Sequence, residues 1–158
     1  MLELMNEPAY YENIGDKGIR SSEDAERYIE EKYLASYARH GFGLYLVELL
    51  ETSVPLGICG LVRRASLDHP DLGFAYLKRF WSQGYATEAA TAIIGYARGA
   101  LGLTHLYGVV SPKNARSVRL LERLGFRFER LSTLPGQAAE SGLYGIELAV
   151  PDRASSHS

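Results

Sequence analysis

Trp81-Ser82-Gln83-Gly84-Tyr85-Ala86-Thr87-Glu88 joins an apolar run, Leu72–Leu77, to a long helical pattern that opens at Gly84. At such a junction the free amides of the first helical turn point outward, and the helix dipole adds partial positive charge. Small residues at Ser82, Gly84 and Ala86 let a phosphate approach the backbone, and Thr87 adds a hydroxyl. This geometry holds an anion without a lysine. Two common phosphate motifs are absent. No Lys-Ser/Thr follows the glycine as in a Walker A loop. A dinucleotide fingerprint needs three spaced glycines opening the fold, whereas Gly84 stands alone and mid-chain. The plainer alternative is a strand-to-helix turn whose small residues serve packing, and the segment by itself leaves both open.

Outward from this turn the pattern is regular. Gly84 to about Ala100 reads as a helix with an apolar stripe of Ala89, Ala92, Ile93, Tyr96 and Ala97, closed by Gly99 and Gly102. Leu106–Val110 reads as a buried strand ended by Ser111-Pro112. Asn114 is placed to cap the next helix, whose apolar face is Val118, Leu121 and Leu124, and Gly125 stands where a left-handed terminator is expected. Phe126–Leu131 and Leu143–Val150 read as the last strands. Upstream, a helix starts near Ser21 or Ser22 with Glu23 and Asp24 in its first turn. Ala25, Tyr28, Ile29, Tyr33 and Tyr37 recur along it at helical spacing until Gly41 and Gly43. Leu44–Leu49 and Leu56–Val62, joined by the short loop Glu51–Pro55, read as an antiparallel hairpin, and Pro70 marks a turn before Leu72–Leu77. The order is helix, three strands, helix, strand, helix, two strands: a mixed sheet flanked by helices, of the α/β or α+β class.

Composition narrows the function classes. With 158 residues the chain is one domain's length, expected over 1–152 with a small, polar, flexible tail at 153–158. Hydrophobic residues are 46% and charged residues 23%, which excludes disorder over the whole chain. The net charge of -2, from 17 Lys+Arg and 19 Asp+Glu, offers no global basic field for nucleic acid or an anionic membrane. Cys59 is the one cysteine, so neither an intramolecular disulfide nor a Cys-rich zinc site can form, and no metal site is expected. No apolar run approaches the ~18 residues of a membrane span, and no signal peptide opens the chain. A cytoplasmic location is the expectation.

Four segments together give the chain a family likeness. Pro55-Leu56-Gly57-Ile58-Cys59-Gly60-Leu61 is similar to a "P-x-G-x-x-G" strand, and Leu72-Gly73-Phe74-Ala75-Tyr76-Leu77 to an "I-G-Y-x-L" strand. Trp81 to Ala90 is similar to "W-G-x-G-Y-A-T-E-A", and Val110 to Phe126 to "V-x-x-x-N-x-x-S-x-x-x-L-x-x-x-G-F". In this order, over about half the chain, they resemble the GNAT superfamily of acyl-CoA-dependent N-acetyltransferases, in the branch typified by ribosomal-protein N-terminal acetyltransferases. There are three departures. The family's first strand and the start of its first helix would precede Met1, so the chain is expected to lack that strand and to begin part-way into the helix. Ser82 stands where the branch has glycine. Lys78 stands where proline is common.

The resemblance implies a mostly antiparallel sheet whose strands Leu72–Leu77 and Leu106–Val110 splay apart to admit the pantetheine arm of acetyl-CoA. It implies that the turn at Ser82, Gln83, Gly84, Tyr85, Ala86 and Thr87 holds the pyrophosphate through backbone amides, and that backbone groups of Tyr76 and Leu77 pair with the arm. Asn114 is expected to contact the arm, with helix capping as the alternative. Ser117, three residues on, is expected to protonate or stabilise the departing thiolate, with a polar first-turn residue as the alternative. The reaction is direct attack of a neutral primary amine on the thioester, with an oxyanion held by a strand amide near Tyr76 and no metal. The acceptor is a small-molecule amine or a protein N-terminus.

No base is identifiable. Asp71, Glu48 and Glu140 lie near strand ends, and His40, His69 and His105 are further candidates by residue type, but each also reads as an ordinary surface or packing residue. Cys59 reads as core filling rather than as an acyl-carrying nucleophile. Arg116 or Arg119 could meet the cofactor's 3′-phosphate, with a solvated helix face as the alternative. Two other readings stand beside the enzyme: a non-catalytic acyl-CoA-binding module or sensor, and a homodimer formed through the N-terminal helix and the last strand.

Overall fold

Pro55–Val62 is buried along most of its length, as a strand covered on both faces must be. The computed structural model describes residues 1–149. Among them are six strands in one sheet: β1 (Leu44–Glu48), β2 (Pro55–Val62), β3 (Asp71–Tyr76), β4 (His105–Val110), β5 (Arg127–Ser132) and β6 (Ser141–Glu147). Their order is β1-β2-β3-β4-β6-β5, and every neighbouring pair is antiparallel except β3 with β4. The expected mixed, mostly antiparallel sheet is therefore present. The β3–β4 pairing holds only at Asp71↔Tyr107 and Leu72↔Gly108, and beyond Leu72 the two strands part, as expected.

The helices are α1 (Leu2–Met5), α2 (Pro8–Asn13), α3 (Ser22–Tyr28), α4 (Ala35–His40), α5 (Tyr85–Gly99) and α6 (Ala115–Arg123). Alternation along the strands divides them between two faces. Cys59, Leu61, Leu72 and Leu106 point to the face covered by α5 and α6, with Ala90, Ala97 and Leu121 fully buried in that core. Ile58 and Leu77 point the other way, onto Leu4 and Met5 of α1, Tyr10 of α2 and Ala25 of α3. At Gly108 a Cβ would lie 2.7 Å from a methyl of Leu121, so a glycine in β4 is what lets α6 settle on the sheet.

Local signals explain the element ends. The Ser21 hydroxyl accepts from the Asp24 amide and starts α3. Gly41 closes α4 at φ +78, and Gly125 follows α6 at φ +100. Three expectations shift. The single helix expected from Ser21 to Gly41 contains a π-helical segment, Ile29–Leu34, between α3 and α4. Wider turns there keep Tyr28 and Tyr33, five residues apart, edge-on at 5.6 Å. The face of α5 is rotated: Ala90 and Ala97 meet the sheet, while Ala92 and Tyr96, expected inside, are exposed. The smallest side chains sit where the helix axis comes nearest the sheet. Finally, β5 starts at Arg127, after buried Phe126, and β6 spans Ser141–Glu147 rather than Leu143–Val150. Val150 and the tail at 153–158 lie outside the described residues. No helix among them is long and apolar enough to cross a membrane.

Candidate active site

The parting of β3 from β4 opens a cleft of about 440 Å³ between the α5–α6 side and the N-terminal helices. Backbone alternation fixes what faces it. The Leu77 amide donates to the Leu56 carbonyl at 2.9 Å, so Leu77, and every second residue before it, hydrogen-bonds toward β2. The intervening residues, Phe74 and Tyr76, turn their peptide edges toward β4, where no partner strand remains. The Tyr76 carbonyl takes the Trp81 indole N–H at 2.9 Å, while its amide faces the opening.

The phosphate-shaped turn closes one end of the cleft. Gly84 caps α5 at φ +86, and an added Cβ there would meet nothing within 4 Å. The approach to the first α5 amides is therefore open. Ser82 adopts φ +61, a left-handed conformation that strains an L-residue and that glycine takes freely. The Gln83 side chain donates to the Arg79 carbonyl at 3.0 Å and ties the turn to the preceding 3₁₀ segment, Lys78–Phe80. The Arg116 guanidinium donates to the Ser82 hydroxyl at 2.6 Å and lies 4.9 Å from the Trp81 ring centre.

On the far wall Asn114 caps α6, its side-chain oxygen accepting from the Ser117 amide at 3.3 Å. Asn114 and Ser117 both line the cleft, as do Tyr76, Ser82, Gly84, Tyr85, Ala86 and Thr87. One predicted residue stands apart. Leu77 is buried on the opposite face with its amide already bonded. The Gln83 side chain is exposed and turned back to Arg79.

Several lining residues escaped the sequence reading. Phe74 belongs to the β3 edge. Arg116 and Arg119, the two arginines that the sequence offered for a 3′-phosphate, both line the cleft, and Arg123 joins them on one face of α6 at helical spacing. Glu7, Tyr10 and Asn13 of the α2 region form the opposite wall. Glu7 is the only carboxylate lining the cleft among the described residues, and it accepts from the Lys78 amide at 2.9 Å. The Glu3–Arg79 ion pair adds a second tie between this wall and the end of β3.

The acid–base candidates read from sequence lie elsewhere. Asp71 is buried at the far end of β3, where burial pushes its carboxyl up against the pull of the Arg64 guanidinium 3.0 Å away. His69 and His105 cluster with Tyr107 at that same end, and the buried Nε2 of His105 has no partner. Glu48, Glu140 and His40 do not reach the cleft. Cys59 is buried, and the loss of hydration pushes its thiol up to about 11, so it is no thiolate nucleophile at neutral pH. Among the described residues no group of three or more His, Cys, Asp or Glu is placed to hold a metal.

The site therefore has a cationic helix face, free helix amides at the turn, an open strand edge, and one carboxylate on the opposite wall, held by the Lys78 amide. It suits an extended anionic ligand. Comparison with known proteins gives the family. The uncharacterized N-acetyltransferase YoaA of Bacillus subtilis is 27% identical over 115 residues, 71% of this chain and 65% of that protein. The uncharacterized protein YkkB of the same organism is 28% identical over 93 residues, 58% and 54% of the two chains. The chain thus spans between about half and two thirds of these relatives' lengths. An acetyltransferase structure from Agrobacterium tumefaciens superposes with a TM-score of 0.73 at 26% identity, covering 92% of this chain and 81% of that one. RimL, a ribosomal L7/L12 α-N-protein acetyltransferase in complex with coenzyme A, shares the fold with a TM-score of 0.76 at 16% identity, covering 93% and 85%. Residues 1–127 match the family described as acetyltransferase (GNAT) domain, and the chain belongs to that family.

Proposed function

We propose that the chain transfers an acetyl group from acetyl-CoA to a primary amine. The observation that carries this reading is the cleft between β3 and β4, which has the free amides of α5 at one end and unpaired strand edges along its floor. The pyrophosphate lies on the turn from Ser82 to Thr87, where the helix amides and dipole favour an anion. Arg119 and Arg123 add cations along the same wall. The arm follows the open edges of Phe74 and Tyr76 as an added strand would. The Asn114 side chain contacts it while capping α6.

A neutral amine attacks the thioester carbonyl, and the C–N bond forms as the C–S bond breaks. Negative charge on the carbonyl oxygen is met by the Tyr76 amide, which points into the opening. The Ser117 hydroxyl supplies a proton to the leaving thiolate and regains one from water, while the proton released by the attacking nitrogen passes to solvent water. The acceptor enters from the α2 wall, opposite the arginines. Its class is a small-molecule amine or a protein N-terminus, and the location is cytoplasmic.

One observation favours a binding module without turnover: the carboxylates and histidines near strand ends all stand outside the cleft. A screen of acetyl-CoA with peptides, amino acids, polyamines and aminoglycosides, read as release of free CoA thiol, separates the two. Amine-dependent thiol release supports the enzyme, and acetyl-CoA binding with no release over the panel supports the module.

A further inference from the structure

Ser82, Trp81 and Arg116 form a cluster that the helix-amide description of the turn does not explain. Ser82 holds a left-handed conformation although it carries a side chain. Arg116, 34 residues away on α6, donates to its hydroxyl at 2.6 Å and lies face-on to Trp81, 4.9 Å from the ring centre. Trp81 in turn donates to the Tyr76 carbonyl at 2.9 Å. One guanidinium thus joins the phosphate turn, the end of β3 and the first turn of α6. A planar guanidinium is suited to this, because it can stack and donate together.

We infer that Arg116 is a positioning residue: it clasps the Ser82 turn in its left-handed geometry and so preorganises the α5 amides for the cofactor. Serine at this position is the reason a clasp is needed. A glycine would adopt the turn unaided, whereas a serine without its partner is free to relax and tilt the amides away. The inference rests on the reading of this cleft as the acetyl-CoA site. It differs from a purely electrostatic role for Arg116, which would be indifferent to the residue at 82.

A double-mutant cycle separates the two. Acetyl-CoA affinity is measured by calorimetry for wild type, Arg116→Ala, Ser82→Gly and the double variant. The clasp predicts that Arg116→Ala weakens binding about fivefold or more in the serine background and less than about twofold in the glycine background. Equal losses in both backgrounds would overturn it and leave Arg116 as a charge alone. Emission of Trp81, the one tryptophan, is read on the unliganded proteins. Loss of the stacked guanidinium is expected to shift it to the red in Arg116→Ala, and an unchanged spectrum counts against the clasp. If wild type binds no acetyl-CoA, the site reading fails, and the emission result decides the clasp by itself.

Discussion

Ser82 and Gly84 both carry positive φ, yet only the glycine does so without strain. An L-residue in the left-handed region costs about 1–2 kcal/mol. A cost of that size persists only where neighbours hold it, and here they lie on the wall of the cleft. Ser117 is the other residue on which the proposed chemistry turns. Its amide is engaged by Asn114, and its side chain lines the cleft. Ser117→Ala is expected to lower turnover about tenfold or more while acetyl-CoA affinity stays within about twofold, the split expected of a group that acts late on the leaving thiolate. Steady-state kinetics beside calorimetry would show it, and unchanged turnover removes Ser117 from the mechanism. Cys59 gives a negative prediction. With its thiol buried and pushed up to about 11, it should not react with a disulfide reagent in the native protein at about pH 8, and should react fully in denaturant.

Among elements, those specified by neighbours in sequence were legible and those specified at a distance were not. The helix after Gly84, the Asn114 cap and the Gly125 terminator follow from local rules, and all are present. The apolar faces of α5 and α6 were approximately read. The shift from Ala92 to Ala90 arises because helix approach is set by side-chain size against the sheet, which no single-helix pattern contains. The walls of the cleft were half legible. Motif residues of β3, α5 and α6 converge, but Glu7 meets Lys78 across 71 residues, and Arg116 meets Ser82 across 34. Such contacts have no local signature. The Tyr10 and Asn13 wall needed α2 to be recognised, and six residues beginning with proline give too short a period. Within α6, Leu121 is fully buried against Gly108. Leu121→Ala should cost about 2–5 kcal/mol of stability, measured by denaturant unfolding. It should also weaken acetyl-CoA binding, because α6 carries Asn114, Ser117 and the three arginines.

For the whole molecule, one parting of strands organises function. The sheet separates two cores, one under α5 and α6 and one under α1 to α3, and the β3–β4 gap connects the sides. The cationic wall and the Glu7 wall then face each other across the gap. On the proposed reading, an anionic acyl donor and an amine acceptor meet there from opposite sides. The central claim is that the Ser82–Thr87 turn holds the donor's phosphates. Calorimetric titration of the chain with acetyl-CoA, in parallel with Gly84→Asp, tests it most directly. An aspartate at Gly84 would place charge and bulk against the phosphate and strain a position at φ +86. The account predicts one-site micromolar binding to wild type and at least about a hundredfold loss in a variant that still melts cooperatively. Binding that survives the substitution unchanged, or a folded wild-type chain that gives no heat, would contradict it.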